Sequence, residues 1–332
     1  MQVLFVIFIF NIIFFYYLDK ISYYLDIYDY PDKKRKFHSR KAAVLGGLII
    51  YLNYLLFLIL IKIFSIKTKI IFFNDFKDFS TWILFPSLFF FIGLIDDKKN
   101  LKGITKFFLL IFLYAALVYI DDSLQIKHIK LNFTENIYNL SNFSFFFTVF
   151  CLVSFNNAFN MIDGINLQAG IYSISVLLVL YFFYSLSNDL IPLLFGCVFY
   201  IYANFKKNVF LGDGGVNILS FLLALLIIKN FNELNNIFSD EILVIMLMPG
   251  LEMIRVFVIR ILKKKNPLEA DRNHIHHLLL VKFKNKNINL VVSIFGAANF
   301  IFICAYFFYN KLLVLSLYLF FYFLTIHFLR RA

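Results

Sequence analysis

The sequence predicts an all-α polytopic membrane protein with about eleven transmembrane helices. Of its 332 residues, 61% are hydrophobic and 16% are charged, whereas soluble domains average about 45–50% apolar and about 25% charged residues. Apolar runs close to the 20 residues that a helix needs to cross a bilayer recur along the whole chain. Because no linker-like stretch interrupts them, we expect residues 1–332 to form one integral-membrane domain.

Apolar periodicity and the polar stretches between runs place the expected spans. The candidate spans are 3–18, 44–64, 81–95, 104–120, 143–158, 169–186, 189–205, 215–229, 241–261, 288–308 and 311–329.

Lysine and arginine placement predicts the orientation of these spans. If the N-terminus lies outside, the inner segments contain 23 lysines and arginines and the outer segments contain eight. Cytoplasmic loops of membrane proteins carry this excess of positive charge. The sequence therefore predicts an N-terminus outside, a C-terminus inside and a basic cytoplasmic surface that attracts anionic lipids and phosphorylated ligands.

The first inner loop is strongly basic, and it contains Lys36 and His38 before the pair Gly46-Gly47. Such a loop serves membrane topology, but His38 and the glycines also suit phosphate binding. The second inner loop begins with Asp96-Asp97 at a span end. Paired carboxylates there are either a solvated surface pair or, since oxygen ligands suit the ion, a magnesium site.

The third inner loop has Asn157, Asn160 and Asp163, which recur every three residues and would share one helical face. Gly164 would end that helix as a C-cap. Three aligned polar side chains at the end of an apolar span indicate a common polar partner.

The fourth inner loop is the glycine-rich stretch Gly212–Gly215, with Asp213 inside it. Its glycines allow close approach to a phosphate, Asp213 offers a metal ligand, and the following helix N-terminus attracts anions. The alternative is a plain glycine turn between helices.

The fifth inner loop contains Arg272 and three of the six histidines of the chain, His274, His276 and His277. We interpret these residues as phosphate contacts, with solvated or structural histidines and a zinc site as the alternatives. Within the ninth span, Glu252 and Arg255 indicate either a structural ion pair or a polar cavity.

Four motifs occur in one order on the same predicted side: DDxxN at 96–100, NxxNxxDG at 157–164, LGDxG at 211–215 and HIHH at 274–277. Together they resemble the polyprenyl-phosphate N-acetylhexosamine-1-phosphate transferases, the MraY/WecA family or glycosyltransferase family 4. The resemblance covers nearly the whole chain, and the family also has eleven spans with an outside N-terminus.

The resemblance implies a Mg²⁺-dependent enzyme, with Mn²⁺ as a substitute, that transfers a sugar-1-phosphate from a UDP-sugar to undecaprenyl phosphate and releases UMP. Asp96, Asp97 and Asp213 match its catalytic aspartates, and Asp97 and Asp213 are the expected metal ligands. The implied substrate-binding residues are Lys36, His38, Asn157, Asn160, Asp163, Gly164, Arg272, His274, His276 and His277.

The context DRNHIHHLL resembles the WecA-like branch, which implies UDP-N-acetylglucosamine or a related donor for a cell-envelope glycan such as lipopolysaccharide. The chain departs from the family in the third loop, which reads Asp-Gly-Ile-Asn-Leu-Gln at 163–168 where the family usually continues with a second Asp or Asn followed by Gly-Leu, and this departure bears on the sugar accepted. The resemblance further implies a bacterial inner-membrane location, a cytoplasmic active site, a homodimer and no nucleic-acid partner.

A transporter of an anion or a lipid-linked sugar is the rival hypothesis, although transporters place their polar groups at the bilayer midplane.

Overall fold

The computed structural model describes residues 2–30, 41–134, 136–165, 167–234, 237–264, 274–283 and 288–330. Within these ranges the chain is almost entirely helical and has many apolar helices, so the predicted class of an all-α polytopic membrane protein is confirmed. The helices are α1 (Gln2–Leu25), α2 (Gly46–Ile63), α3 (Phe76–Phe79), α4 (Phe85–Lys99), α5 (Gly103–Ile120), α6 (Ser144–Ile162), α7 (Gln168–Tyr184), α8 (Ser187–Lys207), α9 (Gly212–Lys229), α10 (Ser239–Ile245), α11 (Leu247–Leu262), α12 (Ile275–Phe283), α13 (Ile288–Phe308) and α14 (Lys311–Arg330).

Four short strands form two antiparallel pairs. Strand β1 (Tyr28–Asp29) pairs with β2 (Ala42–Ala43), and β3 (His128–Lys130) pairs with β4 (Ile137–Asn139). Single π-helical turns, Ser80–Leu84 and Asn230–Leu234, precede α4 and follow α9.

All eleven predicted spans coincide with helical segments. In the described part of the chain, nine segments are long and apolar enough to cross a membrane. Helices α10 and α11 meet at a 70° bend and would make a tenth span together, while α7 is an apolar helix below the length of the others. The predicted orientation stays a prediction. Helix α12 was not predicted, because its apolar run is too short for a span and was assigned to a loop.

The chain divides into two compact units, which we describe separately. The first unit comprises Met1–Leu101 and Ser185–Leu222, and the second comprises Lys102–Tyr184 and Leu223–Ala332. The expectation of a single membrane domain stays a prediction.

In the first unit, α2 packs along α8 because Gly196 of α8 has no side chain. A β-carbon there would lie 3.2 Å from the Cα atom of Ile50. Small residues at such contacts allow helix backbones to approach closely without a hydrophobic driving force between them.

A tyrosine compensates for the proline at the start of α4. Pro86 has no N–H group and cannot donate to the carbonyl of Trp82 four residues earlier. The hydroxyl of Tyr54 on α2 donates to that carbonyl instead, at 2.6 Å. This bond links α2 to the π-helical turn that precedes α4. Asp96 and Asp97 lie at the other end of α4.

Helices α1 and α2 are joined by a reciprocal pair of amides. The Nδ2 atom of Asn11 donates to Oδ1 of Asn53 at 2.6 Å, and the Nδ2 atom of Asn53 donates to Oδ1 of Asn11 at 2.9 Å. Both side chains are buried. Since an unpaired amide among apolar side chains is costly, this pair defines the register of the two helices.

In the second unit, α6 packs against α5 and α11, and α7 packs against α13. The β3–β4 hairpin is anchored to α10, because the N–H of Lys130 donates to Oγ of Ser239 at 3.1 Å and the N–H of Asn132 donates to Oδ1 of Asp240 at 2.7 Å. A buried ion pair of 3.1 Å between Lys229 and Asp121 joins the end of α9 to the end of α5.

The amide pair predicts a non-additive effect on stability. Asn53→Leu alone leaves Asn11 without its interhelical partner, and we expect it to lower the free energy of unfolding by about 1–2 kcal/mol. The double variant Asn11→Leu/Asn53→Leu removes both amides and should cost less than the single variant. Equilibrium unfolding in mixed micelles measures both, and a double variant less stable than the single one would contradict this account.

Candidate active site

The first unit brings Asp97 and Asp213 together. Asp97 lies in the last turn of α4, and its Oδ1 accepts the backbone N–H of Asp213 at 2.8 Å while its Oδ2 accepts that of Gly214 at 3.1 Å. The first amides of a helix have no partner within the helix and carry a partial positive charge. The carboxylate therefore joins the second and fourth loops.

Asp96 lies beside this contact but is more deeply buried, with 7% of its surface exposed. Its Oδ1 accepts the backbone N–H of Leu101 at 2.8 Å. Asn100, at the C-cap of α4, adopts the left-handed conformation with φ 49°. Asp96 thus holds the chain as it turns out of α4, while half-buried Asp97 faces α9.

Three glycines allow this close approach. A β-carbon on Gly93, one turn before Asp97, would overlap the carbonyl group of Asp213. One on Gly47 would overlap the backbone nitrogen of Gly215. Gly212 has φ +75°, a conformation that side chains disfavour. Gly93 was missed in the sequence analysis, although a helix-interior glycine four residues before an aspartate was a signal.

The segment that follows the basic first loop also lies beside the start of α9. Lys36 and His38 themselves lie outside the described residues. After the loop, Ala43 accepts the N–H of Phe210 at 2.8 Å, and the N–H of Gly46 donates to the carbonyl of Phe210 at 2.9 Å. The chain that leaves the basic loop therefore contacts the segment directly before Gly212.

The second unit contains the polar end of α6. Asn157 and Asn160 are half-buried one turn apart, and Nδ2 of Asn157 donates to the carbonyl of Val153 at 2.9 Å. Helix α6 ends at Ile162, and Asp163 follows as its cap residue with φ −81°. Hence α6 presents the two asparagines from one side close to its end.

Gly164 directly follows Asp163, the cap residue of α6, but it does not adopt the left-handed conformation that is typical of a glycine at a helix C-terminus. Among the described residues, Gly212 is the glycine with a positive φ. A β-carbon on Gly164 would instead overlap the imidazole ring of His276. Glycine is required here because the histidine ring occupies the space of a side chain.

The histidines form a compact group at the start of α12. The ring centroids of His274 and His276 lie 5.2 Å apart with nearly parallel planes, and those of His276 and His277 lie 4.2 Å apart. Burial lowers the pKa of His276 well below its usual range, and the neighbouring rings of His277 and His274 lower it further. His276 is therefore neutral at pH 7. Arg272 lies outside the described residues.

The carboxylates of the first unit suit magnesium better than zinc. Within the described ranges, no group of three or more His, Cys, Asp or Glu side chains surrounds a common metal position. Mg²⁺ is typically bound by one or two carboxylates and retains water and substrate phosphate as further ligands. Asp97 and Asp213 fit that donor set, whereas a structural zinc ion needs four protein ligands.

The close approach at Gly93 predicts opposite effects for two glycine substitutions in helices. Gly93→Ala forces Asp213 away from α4, and we expect it to lower the free energy of unfolding by about 1–3 kcal/mol. Gly250→Ala on α11 is the matched control, since a β-carbon there meets nothing within 4 Å. That variant should gain about 0.5–1 kcal/mol through helix propensity. Unfolding in micelles compares the two, and equal effects would refute the packing argument.

Burial of neutral His276 predicts a loss of stability in acid. The unfolded chain binds a proton below the ordinary histidine pKa of about 6.5, whereas the folded chain does not, so stability falls as the pH drops through that value. Between pH 7.5 and 5.5 the wild type should lose about 1 kcal/mol more than His276→Gln. His327→Gln, which removes an exposed histidine, should keep the wild-type slope, and parallel slopes for all three proteins would disprove the argument.

Comparison with known proteins shows which enzymes the chain is similar to. Residues 79–230 match the family described as Glycosyl transferase family 4. The chain is 24% identical over 286 residues to an undecaprenyl-phosphate alpha-N-acetylglucosaminyl 1-phosphate transferase of Salmonella typhi, covering 82% of this chain and 74% of that protein.

Two further relatives come from other bacteria. A probable undecaprenyl-phosphate N-acetylglucosaminyl 1-phosphate transferase of Bacillus subtilis is 26% identical over 271 residues, which are 79% of this chain and 72% of the relative. A decaprenyl-phosphate N-acetylglucosaminephosphotransferase of Mycolicibacterium smegmatis is 26% identical over 307 residues, which are 82% and 75%. The resemblance seen in the motifs is thus confirmed: this multi-pass membrane protein is similar over most of its length to polyprenyl-phosphate sugar-phosphate transferases, and its residues 79–230 match glycosyl transferase family 4.

Proposed function

We propose that the protein transfers N-acetylglucosamine-1-phosphate, or a related N-acetylhexosamine-1-phosphate, from its UDP-sugar to undecaprenyl phosphate. The observation that carries this proposal is the carboxylate contact between Asp97 and the start of α9, found in a chain similar to enzymes named for this reaction. The product would be a lipid-diphosphate-linked sugar that initiates a cell-envelope glycan.

The site is proposed to face the cytoplasm from the bacterial inner membrane. The positive-inside distribution of lysine and arginine supports this orientation. A nucleotide sugar is water-soluble, and the phosphate of the lipid lies at headgroup depth. Polar groups at helix ends would let both substrates meet without crossing the bilayer. A homodimer in the membrane is part of the proposal.

The lipid phosphate would be the nucleophile. A phosphate monoester has a second pKa of about 6, so it is largely a dianion at pH 7. Its oxygen attacks the sugar-bearing phosphorus, a new phosphorus–oxygen bond forms, and the bond to the UMP oxygen breaks with UMP as the leaving group. Asp96 is assigned to orient or deprotonate the lipid phosphate.

Repulsion between the two phosphate groups is the main barrier that the site must lower. Asp97 and Asp213 would hold Mg²⁺, with Mn²⁺ as a substitute. When bound, the ion neutralises charge on the diphosphate of the donor. Lys36, His38 and Arg272 would add positive charge from their loops.

The second unit would bind the UDP-sugar. Half-buried asparagines on α6 can donate and accept hydrogen bonds, and a neutral imidazole can do the same. We assign Asn157, Asn160, Asp163 and Gly164 to the nucleotide, and His274, His276 and His277 to the diphosphate and sugar.

The test is an assay in membranes with undecaprenyl phosphate, Mg²⁺ and a panel of UDP-N-acetyl sugars, which reads UMP and the lipid product. We expect one donor to be converted, EDTA to stop the reaction, and Asp213→Asn to lower kcat/KM by about 100-fold or more, because it removes charge where the diphosphate reacts. Without added lipid acceptor, direct attack predicts no burst of UMP.

Asp75→Asn is the matched control for this aspartate. Asp75 likewise lies at a helix start, where its Oδ1 accepts the backbone N–H of Asp78 at 2.8 Å, but it is exposed. Its variant should retain wild-type activity.

The contradicting outcome is folded wild-type protein that converts no donor but carries an anion or a lipid-linked sugar across the membrane of sealed vesicles. That result would show a transporter and not a transferase.

A further inference from the structure

Glu252 is a carboxylate buried in the apolar helix α11. Its side chain is 0% exposed, and an ionised group in such a segment is costly unless partners neutralise and hydrogen-bond it. The sequence alone is compatible with either an ion pair between Glu252 and Arg255 or a polar cavity lined by both. The structure shows an ion pair within the second unit, 2.7 Å between Arg255 Nη2 and Glu252 Oε1.

Two side chains hold the carboxylate in a defined orientation. Arg255 donates from Nη2 to Oε1 and from Nε to Oε2, at 2.7 and 3.1 Å. The hydroxyl of Tyr322 on α14 donates to Oε2 at 2.8 Å. A two-point guanidinium contact fixes geometry as well as charge, since both groups are planar.

The remaining contacts of Glu252 reach the histidine segment. Oε1 accepts the backbone N–H of Ile275 at 2.7 Å. Ile275 is the first residue of α12 and stands between His274 and His276. A carboxylate at a helix N-terminus satisfies an amide that has no partner within the helix and interacts favourably with the helix dipole. Glu252 therefore holds α12 at its first turn.

Arg260 constrains His274 from the other side. Its Nη2 lies 3.2 Å from Nε2 of His274, and the other ring nitrogen, Nδ1, lies 3.6 Å from Oε1 of Glu252. Because a guanidinium only donates, Nε2 of His274 accepts from Arg260. The ring of His274 is thus held between Arg260 and Glu252.

We propose that Glu252 is a positioning residue for His274–His277: it anchors the first turn of α12, so that the ring of His276 lies against Gly164 at the end of α6. Loss of this anchor frees α12 to shift away from Gly164. The consequence for binding the UDP-sugar rests on the proposed function, whereas the anchoring itself does not.

Histidine labelling tests the anchor without turnover. Diethyl pyrocarbonate is added to the full chain in micelles, and adducts are mapped by mass spectrometry. In Glu252→Gln, we expect labelling of His274 and His276 to accelerate about tenfold, because local opening exposes buried rings. His128 and His327, elsewhere in the second unit, should react at wild-type rates.

Glu241→Gln provides a closely matched control. Glu241 on α10 is also buried and also accepts a tyrosine hydroxyl and a backbone amide near a helix start, from Tyr184 at 2.8 Å and Phe238 at 2.9 Å. It should leave the labelling of His274 and His276 unchanged. Tyr322→Phe removes one hydrogen-bond donor to Glu252 and keeps the ring, so it should also accelerate the labelling of His274 and His276. It is the variant to use if Glu252→Gln does not fold.

Unchanged labelling of His274 and His276 in both Glu252→Gln and Tyr322→Phe overturns the proposal. A rise that is equal at His128 and His327 overturns it as well, since that result indicates general loosening of the unit.

Kinetics then test the consequence for the substrate. Partners that orient metal-ligating histidines contribute about 10- to 100-fold. By analogy, Glu252→Gln should raise KM for the UDP-sugar by about 10-fold or more and leave KM for the lipid phosphate unchanged. A loss of folded enzyme would lower the rate without changing either KM. An unchanged donor KM despite faster labelling overturns the role in donor binding. Wild-type enzyme that converts no donor overturns the proposed function instead, and labelling still decides the anchor.

Discussion

A carboxylate that accepts the first amides of a helix is the interaction on which the candidate site depends. In the first unit, Asp97 accepts the N–H groups of Asp213 and Gly214, 116 and 117 residues further along the chain. A helix start among apolar side chains needs such an acceptor because its amides have no partner within the helix. That need joins the last turn of α4 to the first turn of α9.

The second unit uses the same device at α12. Glu252 accepts the amide of Ile275, and Gly164 leaves space for the ring of His276. In both units an acidic side chain on one helix accepts the first amides of another helix. In both units a glycine also leaves space for a group of that second helix, the backbone of Asp213 at Gly93 and the ring of His276 at Gly164. The functional groups are thereby held by backbone contacts, which vary less in position than long flexible side chains.

How much of this could be predicted depends on the range of the interactions. The apolar helices follow from composition and run length, which are local properties, and the order of four motifs was sufficient to identify the resemblance. Gly164 was expected to act as a C-cap, which is a local feature, whereas its contact with the ring of His276 joins residues far apart in the chain and could not be predicted. Gly93 was missed because its meaning lies in a distant backbone, that of Asp213. Helix α12 was missed because nine residues are too few for a clear apolar pattern.

The sequence by itself determined the membrane class and the apolar helical segments, and it supplied the candidate site residues, because hydrophobicity and residue type act at each position independently of the rest of the fold. Only the tertiary structure decided which residues meet. It joined Asp97 to α9 and separated buried Asp96 from half-buried Asp97. It also showed that Glu252, which the sequence relates only to Arg255, accepts the amide of Ile275 in the histidine segment. Those outcomes require side chains and amides far apart in the chain to satisfy one another, and such pairing exists only once the helices have packed.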